Sequence, residues 1–384
     1  MRMLNTATLI ALGGLGYIQL QPAMAQQTRA PTAATTPIKI ETFAAGLEFP
    51  WGLQVLPDGR LIVTERPGRL RIVGRDGVVS PPLAGVPAVS AIGQGGLLDI
   101  ALHPEFERSR QVFLAYAEPR GGNKNGTSVA RARLVLEGGP PRLESVEVIF
   151  RQQPEFSGGL HFGARLAFAP DGRLFVALGE RFQKDGAQDL MRHWGKVVRI
   201  TADGRIPDDN PFYGKSNARN EIWSYGHRNP QSAAIHPGTG KLWVVEHGPQ
   251  GGDEINIPLK GRNYGWPVIG YGIDYSGARL HESTHRDGME QPIYYWRPSI
   301  APSGMAFYSG DLFAAWKGNL LVGALAGKAL HRLVLDGETV VGEEILLKDA
   351  GHRIRDVRVG PDGAVWLLVD SADGRILRLM PGPS

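Results

Sequence analysis

Six polar residues of the chain occupy similar positions in a repeated sequence pattern. Each lies six to ten residues before a proline in a tight turn, near the start of an apolar segment. They are Gln94, His161, Arg228, Asn229, Arg353 and Arg355. Arginine side chains are permanently cationic and suit carboxylates or phosphates, and histidine is the usual general base near neutral pH. This combination indicates a site that binds an anionic ligand and transfers a proton.

Taken one at a time, these residues also have structural interpretations. His161 could be a structural histidine before a strand, and Gln94 could lie in a glycine-rich loop. Arg228 and Asn229 could belong to an ordinary Asn-Pro turn. Their shared position in the repeat favours a common site. Lys328, after the fifth repeat, can add a positive charge, although alone it would be interpreted as a solvent-exposed lysine.

Glu180 is predicted to lie beside His161. If the hairpin turns between Asp171 and Gly172, antiparallel pairing places position 163 opposite position 180. A carboxylate within reach of the imidazole fixes its tautomer and raises its basicity, as a general base requires. Acids at the same position of two other repeats leave open a structural role instead; they are Glu65 and Glu246.

A loop rich in oxygen donors, residues 248–267, follows the fourth repeat. The backbone carbonyls of Gly248 and Pro249, the side chains of Asp253 and Glu254, and the carbonyl of Tyr264 could all bind a metal. Oxygen donors in a chain without cysteine fit Ca²⁺ better than Zn²⁺. The same loop could instead be an acidic turn followed by an aromatic packing segment, and it contains no EF-hand pattern.

A repeated hairpin must position these residues. An apolar strand, a tight turn and a second apolar strand recur six times, starting near Trp51, Leu97, Arg165, Ser232, Ser303 and Arg355. The pattern predicts an all-β fold, a six-bladed β-propeller with its active site at one mouth of the central channel. The first strand of each blade would line that channel, so that the six polar residues converge. Six hairpins could also form a β-sandwich, but their nearly regular spacing favours closure into a ring.

The composition excludes several classes of protein. The chain has 384 residues with 51 Gly, 28 Pro, no Cys and a net charge of +4. The many glycines and prolines indicate tight turns between short strands. The lack of cysteine excludes disulfides, thiolate metal sites and cysteine nucleophiles. Because no run of Lys and Arg is present, no nucleic-acid partner is predicted.

The N-terminus has the pattern of a secretory signal peptide. A positive residue at Arg2 precedes an apolar segment, 9–20, and the small-x-small cleavage site Ala23-Met24-Ala25. We therefore expect residues 1–25 to be a signal peptide cut after Ala25, and the protein to be exported to the periplasm. An uncleaved anchor is the alternative, although the apolar segment is short for a membrane span. No membrane span is predicted in the mature chain. Residues 26–37 are expected to be a flexible lead-in to a propeller domain, 38–381.

Six ordered motifs between about residues 40 and 380 resemble the soluble quinoprotein glucose/sorbosone dehydrogenase family, particularly its aldose sugar dehydrogenase branch. They are QGGLLDIALHPEF, HFGARLAFAPDGRLFVALGE, SYGHRNPQ, EHGPQGGDEIN, KGRNYGWP and RIRDVRVGPDG. The resemblance implies that pyrroloquinoline quinone (PQQ), a tricarboxylate, binds with Ca²⁺ at the propeller mouth. It also implies oxidation of the anomeric C1 hydroxyl of an aldose to the lactone, with electrons passing to a separate acceptor.

The resemblance also assigns roles to individual residues. His161 matches the catalytic base, and Gly248 and Pro249 match carbonyl donors to the calcium that bridges to the quinone. Glu254 and Tyr264 match a second, structural calcium site. The positions that match cofactor contacts are Gln94, Arg228, Asn229, Tyr275, Lys328, Arg353 and Arg355. The chain lacks the larger insertions of the glucose-specialised enzymes, which puts narrow glucose specificity and dimeric assembly in doubt and leaves both monomer and dimer open.

Two other classes of function compete with this one. A calcium-dependent lactonase on a six-bladed propeller would need several acidic or Asn side chains around its metal, whereas the channel positions here carry Gln, His and Arg. A propeller that serves only as a binding module would leave the pairing of His161 with Glu180 unexplained.

Overall fold

The structure, a computed structural model, describes residues 26–27 and 30–383. In this part of the chain six antiparallel sheets form the blades of a β-propeller. The first strands of successive blades contact one another, and the first strand of blade six contacts that of blade one. The ring is therefore closed around a central channel. This confirms the predicted all-β, six-bladed propeller.

The blades follow one another in chain order. Blade one contains Pro50–Val55, Leu61–Glu65 and Arg69–Val73, and blade two contains Leu97–Leu102, Gln111–Pro119, Asn125–Val135 and Arg142–Arg151. Blade three contains Gly163–Phe168, Leu174–Leu178, Lys196–Ile200 and Ile222–Tyr225. Blade four contains Pro230–Ile235, Leu242–Glu246, Asp253–Asn256 and Tyr294–Trp296, with Gln26–Gln27 paired parallel to its last strand.

The last two blades complete the ring. Blade five contains Pro302–Phe307, Leu320–Ala324, Ala329–Asp336 and Thr339–Leu346. Blade six contains Ile354–Val359, Val365–Val369 and Gly374–Pro381, and the N-terminal strand Ile38–Leu47 pairs antiparallel with the last of these. The helical elements are short: Phe106–Ser109 is an α-helix, and Lys184–Ala187, Ala314–Trp316 and Lys348–Ala350 are 3₁₀-helices.

The hairpin turns are formed by the residues that predicted them. In blade three, Gly172 has a φ of +77°, a left-handed conformation that glycine adopts without steric cost. The N–H of Ala169 donates to the carbonyl of Arg173 (2.8 Å), and the Asp171 carboxylate accepts the N–H of Arg173 (3.0 Å). The same Pro-Asp-Gly geometry recurs in blades one and six. In these three blades the turn sequence thus sets where the first strand ends.

Both faces of each blade pack against neighbouring blades. All five residues of Leu174–Leu178 are buried, as are all five of Leu242–Glu246 and of Val365–Val369. Strands buried on both faces have no hydrophobic–polar alternation, which explains the continuous apolar runs in the sequence.

Residues 30–37, expected to be a flexible lead-in, make specific contacts with blade five. The N–H of Ala33 donates to the carbonyl of Glu343 (2.9 Å), and the N–H of Thr36 donates to the carboxylate of Glu344 (2.6 Å). The indole N–H of Trp316 donates to Thr36 Oγ1 (2.8 Å). These bonds tie the segment to the outer edge of the ring. The predicted signal peptide, residues 1–25, lies outside the described residues, and within the described part no helix is long and apolar enough to cross a membrane.

Candidate active site

Three adjoining cavities open around the ends of the first strands, and we call this region the channel mouth. A cavity of about 520 Å³ is lined by Gln94, Arg353 and Arg355. A second, of about 580 Å³, is lined by Glu180, Arg228 and Tyr275, and a third, of about 670 Å³, by Gly248, Pro249 and Tyr275. His247 lines both the first and the third cavity. The structure therefore brings most of the predicted site residues to one region.

His161 and Glu180 are in direct contact beside the second cavity. The imidazole Nδ1 lies 2.6 Å from Glu180 Oε2, and both side chains are almost fully buried. The N–H of His161 donates to Gln94 Oε1 (2.9 Å), so that Gln94 holds the backbone of the histidine. The ring of Phe182 packs edge-on against the imidazole at 5.2 Å. No described residue bonds to Nε2, which leaves that nitrogen able to accept a proton.

A second buried histidine–glutamate pair shows what a purely structural arrangement looks like. In blade four, His227 Nδ1 lies 3.0 Å from Glu246 Oε1, with the same separation of 19 residues as His161 and Glu180. The other ring nitrogen of His227 bonds to Ser224 Oγ (2.9 Å). Both nitrogens of His227 are occupied, whereas His161 keeps Nε2 free. This difference favours a chemical role for His161.

The hairpin that joins His161 to Glu180 does not have the predicted register. Gly163 pairs with Leu178 rather than with position 180. The turn spans the three residues Pro170, Asp171 and Gly172 rather than two, and a bulge between Gly163 and Arg165 shifts the register again. The predicted contact is nevertheless present, because both side chains extend just beyond the paired region.

Arg228 connects the second cavity to the predicted metal loop. Its Nη1 donates to the carbonyls of Gly248 (2.6 Å) and His247 (3.0 Å), and its guanidinium lies 5.2 Å from the ring of Trp266. Its Nη2 is 3.5 Å from the hydroxyl of Tyr275, which is 66% exposed. The Nε of Arg228 is buried and has no hydrogen-bond partner among the described residues. Part of this cation remains available to a ligand.

Arg353 and Arg355 share one carboxylate in the first cavity. Each donates through Nη2 to Asp370 Oδ2, at 3.2 and 3.1 Å respectively. Arg355 also donates to Gln231 Oε1 (3.2 Å), while its buried Nε has no partner within the described part of the chain. Arg66 lines the same cavity. Three arginines and one carboxylate therefore give this cavity a positive charge.

His247 marks the point where the basic residues converge. Its Nε2 donates to the carbonyl of Pro302 (2.7 Å), which fixes the tautomer. Burial, with the positive charges of Arg228 and Arg355 and the nearby His161, lowers the pKa of His247 to about 3. The ring is therefore neutral at physiological pH and presents Nδ1 as an acceptor.

Two predicted cofactor positions do not line these cavities. Asn229 is buried, and its Oδ1 accepts the side-chain N–H of Gln231 (3.1 Å). Lys328 is exposed in the turn between Leu320–Ala324 and Ala329–Asp336, with a φ of +49°.

The four predicted metal donors, Gly248, Pro249, Glu254 and Tyr264, all line one small cavity. The Gly248 and Pro249 carbonyls lie at the mouth, where the first accepts from Arg228 and the second from Ser299 Oγ (3.3 Å). The small cavity that they share with Glu254 and Tyr264 has a volume of about 20 Å³, enough for one water or ion. Burial and the nearby carboxylate of Glu246 raise the pKa of Glu254 to about 8. Among the described residues no group of three or more His, Cys, Asp or Glu side chains could hold a metal.

Comparison with known proteins identifies the family. Residues 47–378 match the family described as Glucose / Sorbosone dehydrogenase. The chain belongs to this family. The aldose sugar dehydrogenase YliI of Escherichia coli (strain K12) is 47% identical over 352 residues, covering 91% of this chain and 94% of the relative. The glucose/sorbosone dehydrogenase described here is thus an enzyme, a dehydrogenase, as predicted.

Solved structures agree with this assignment. The apo-form of the soluble aldose sugar dehydrogenase from Escherichia coli superposes with a TM-score of 0.87 at 46% identity, covering 90% of this chain and 99% of that chain. The PQQ-bound form of an aldose sugar dehydrogenase from Streptomyces coelicolor has a TM-score of 0.75 at 30% identity, covering 91% and 99% respectively. The glucose/sorbosone dehydrogenase family predicted from sequence motifs is confirmed.

Several residues of the mouth were missed by the sequence analysis. Asp370 follows the second strand of blade six, the same repeat position as Glu65, Glu180 and Glu246, so that the repeat could have revealed it. His247, Arg66 and Phe182 lie in loops after second strands, and no spacing rule separates them from other loop residues. Trp266 is brought to the mouth only by the folding of the long loop that follows blade four's third strand.

Proposed function

We propose that this dehydrogenase is a PQQ- and calcium-dependent aldose sugar dehydrogenase that oxidises the C1 hydroxyl of an aldose to the lactone and passes electrons to a separate acceptor. The observation that carries the proposal is the contact of His161 Nδ1 with Glu180 (2.6 Å), with Nε2 free, beside a mouth lined with arginines. A base next to a cationic cavity fits a reaction that removes a proton while an anionic cofactor gains electrons.

The residues at the mouth fit a tricarboxylate. The first cavity combines Arg66, Arg353 and Arg355 with a single carboxylate, Asp370. Buried guanidinium nitrogens without partners, Nε of Arg228 and Nε of Arg355, can donate to carboxylate oxygens. The indole of Trp51 lines the same cavity, although it is almost fully buried and the guanidinium of Arg165 lies over its ring at 4.1 Å. When bound, PQQ supplies the electron sink that accepts the hydride from C1.

The chain's own residues would handle the proton and the orientation of the sugar. His161 Nε2 takes the proton of the C1 hydroxyl, and Glu180 keeps Nδ1 protonated and stabilises the imidazolium that forms. The sugar would bind in the second cavity, which Glu180 lines, beside the pair. The aromatic rings of Phe182, Trp266 and Tyr275 line this cavity and would exclude water from C1.

The donor set fits calcium in two different ways. At the mouth the protein offers the neutral carbonyls of Gly248 and Pro249, so that calcium there would need an anionic cofactor to supply charge. It would also require Arg228 to release the Gly248 carbonyl. In the small cavity, the carboxylate of Glu254 with Glu246 nearby, together with the carbonyl of Tyr264, would hold a structural ion. A cation there would let both carboxylates remain ionised.

A calcium-dependent lactonase is less well supported. It would need several acidic or amide ligands that converge on a metal in the channel, and among the described residues no group of three or more His, Cys, Asp or Glu side chains could hold one. The signal-peptide pattern of residues 1–25 further supports export, so that we propose a periplasmic location for the enzyme.

Reconstitution tests the proposal. Purified protein incubated with PQQ and Ca²⁺ should reduce a redox dye when an aldose is added, and should not do so without PQQ. Lactone hydrolysis that needs Ca²⁺ but no PQQ would favour the lactonase. If protein that is shown to bind PQQ has neither of these activities, the aldose is rejected as the substrate.

A further inference from the structure

Arg181, which follows Glu180 in the chain, is a buried arginine that forms no ion pair with any described residue. Only 1% of the surface of Arg181 is exposed to solvent. Burial lowers its pKa to about 10, and the neighbouring carboxylate of Glu180 opposes that shift. A buried charge is costly unless hydrogen bonds replace its hydration. The groups that form hydrogen bonds with the Arg181 guanidinium therefore indicate the role of this residue.

The guanidinium of Arg181 bonds only to uncharged oxygens, and two of them precede His161 in the chain. Its Nε donates to the carbonyl of Leu160 (3.0 Å), and its Nη2 to the carbonyl of Gly158 (2.7 Å). The same Nη2 donates to Asn125 Oδ1 (2.8 Å), and Nη1 lies 3.4 Å from the carbonyl of Asn125. Asn125 begins a strand of blade two, so that Arg181 ties this segment to a fixed element.

The remaining contacts of Arg181 also surround His161. Its Cζ lies 3.8 Å from the ring centroid of Phe162, and its backbone N–H donates to the carbonyl of His161 (3.2 Å). His161 and Arg181 both have left-handed backbones, with φ of +49° and +61°. Non-glycine residues adopt this conformation at a cost, and surrounding contacts must maintain it. Arg181 supplies contacts to residues 158, 160, 161 and 162.

We propose that Arg181 is a positioning residue for the base, which holds the backbone around His161 so that the imidazole stays within hydrogen-bonding distance of Glu180. All three guanidinium nitrogens of Arg181 bond to oxygens of the protein, so that it acts only through the pair. The kinetic test of this inference rests on the proposed function, whereas the spectroscopic test rests on the geometry alone.

The kinetic test compares Arg181→Met with Arg332→Met. Arg332 is a matched control: it is also buried, bonds to Glu344 (2.6 Å) and Asn319 (2.6 Å), and lies 5.7 Å from the ring of Trp316 in blade five. At saturating PQQ, Ca²⁺ and sugar, Arg181→Met should lose kcat roughly 10- to 100-fold, as expected for a displaced catalytic group. Its KM for sugar and its affinity for PQQ should change by less than about threefold.

Both variants should lose thermal stability, but Arg332→Met should keep kcat within about twofold of wild type. A merely structural Arg181 would give the pattern of Arg332→Met, and that result would overturn the proposal. If Arg181→Met does not fold, Asn125→Ala removes the side-chain anchor of the guanidinium and should show a smaller loss of kcat with the same unchanged KM. If Asn125→Ala folds and keeps the wild-type kcat, the positioning role of Arg181 is overturned.

The spectroscopic test uses cofactor-free protein with isotope-labelled histidine. The Nδ1 proton between His161 and Glu180 should give a downfield resonance, assigned by its loss in His161→Ala. It should be lost or shifted in Arg181→Met and retained in Arg332→Met. An unshifted resonance in Arg181→Met would contradict the positioning role. This measurement needs neither PQQ nor sugar, so that a failure of the proposed function would leave it valid.

Discussion

His161 Nδ1 lies 2.6 Å from Glu180 Oε2, although the residues are 19 positions apart in the chain. The hairpin of blade three brings them together just beyond its last paired residues, Gly163 and Leu178. Because Nδ1 is held by the carboxylate and Nε2 is free, the pair has the arrangement of a general base with its orienting acid.

The first prediction concerns the base. His161→Ala should retain PQQ binding but lose turnover by ~10²–10⁴-fold, because only the proton acceptor is removed. Steady-state kinetics at saturating PQQ and Ca²⁺ would measure the loss, and a PQQ titration of the variant would serve as its control. Near-normal turnover with every aldose that the wild type oxidises would reject the assignment.

The second prediction concerns the orienting carboxylate. Glu180→Gln should lower kcat by about tenfold or more, since a neutral amide stabilises the imidazolium less than a carboxylate does. Glu343→Gln is the matched control, because Glu343 forms a similar buried contact with His331 (2.7 Å) in blade five. That variant should lose stability and keep its kcat. Equal effects of the two substitutions on kcat would indicate that Glu180 is structural.

The third prediction separates the two neighbouring arginines of blade six. The side chain of Arg355 is 10% exposed, whereas that of Arg353 is 45% exposed and its contacts are weakened by water. Losing a buried charge-assisted hydrogen bond costs about 1.5–3 kcal/mol, so that Arg355→Met should weaken PQQ binding roughly 10- to 150-fold. Arg353→Met should have a smaller effect. Equilibrium titration measures both, and the reverse order would contradict the proposed cofactor position.

The fourth prediction concerns the metal. Exhaustive chelation should abolish activity, and Ca²⁺ should restore it where Zn²⁺ does not, because the proposed donors are all oxygens. Activity assays after chelation, with elemental analysis of the protein, provide the measurement. Full activity in metal-free protein would remove calcium from the mechanism.

The sequence predicted the architecture because local chemistry determines it. Each Pro-Asp-Gly turn fixes a glycine in the left-handed region, as Gly172 does, and so reveals a hairpin without knowledge of the rest of the fold. The register of blade three was wrong, since a turn of three residues and the bulge before Arg165 depend on packing rather than on turn type.

Residues of the candidate site were predictable only where they belong to the repeated hairpin pattern. His161, Arg228 and Arg355 lie near the starts of the first strands of their blades and were found, whereas Trp266 reaches the mouth through the fold of a long loop. The contacts of residues 30–37 with Glu343 and Glu344 were missed for a related reason. A segment rich in Thr, Pro and Ala has no periodic pattern, and only the exposed edge of blade five determines where it packs.

The most direct test of the central claim is an equilibrium titration of the wild-type protein with PQQ in the presence of Ca²⁺, followed by the absorbance change of the quinone. The arrangement of Arg228, Arg353 and Arg355 predicts saturable binding at micromolar PQQ or below, with sugar-dependent bleaching of the bound quinone. If the folded wild-type protein binds no PQQ at micromolar concentrations with Ca²⁺ present, the dehydrogenase mechanism proposed for this mouth is contradicted.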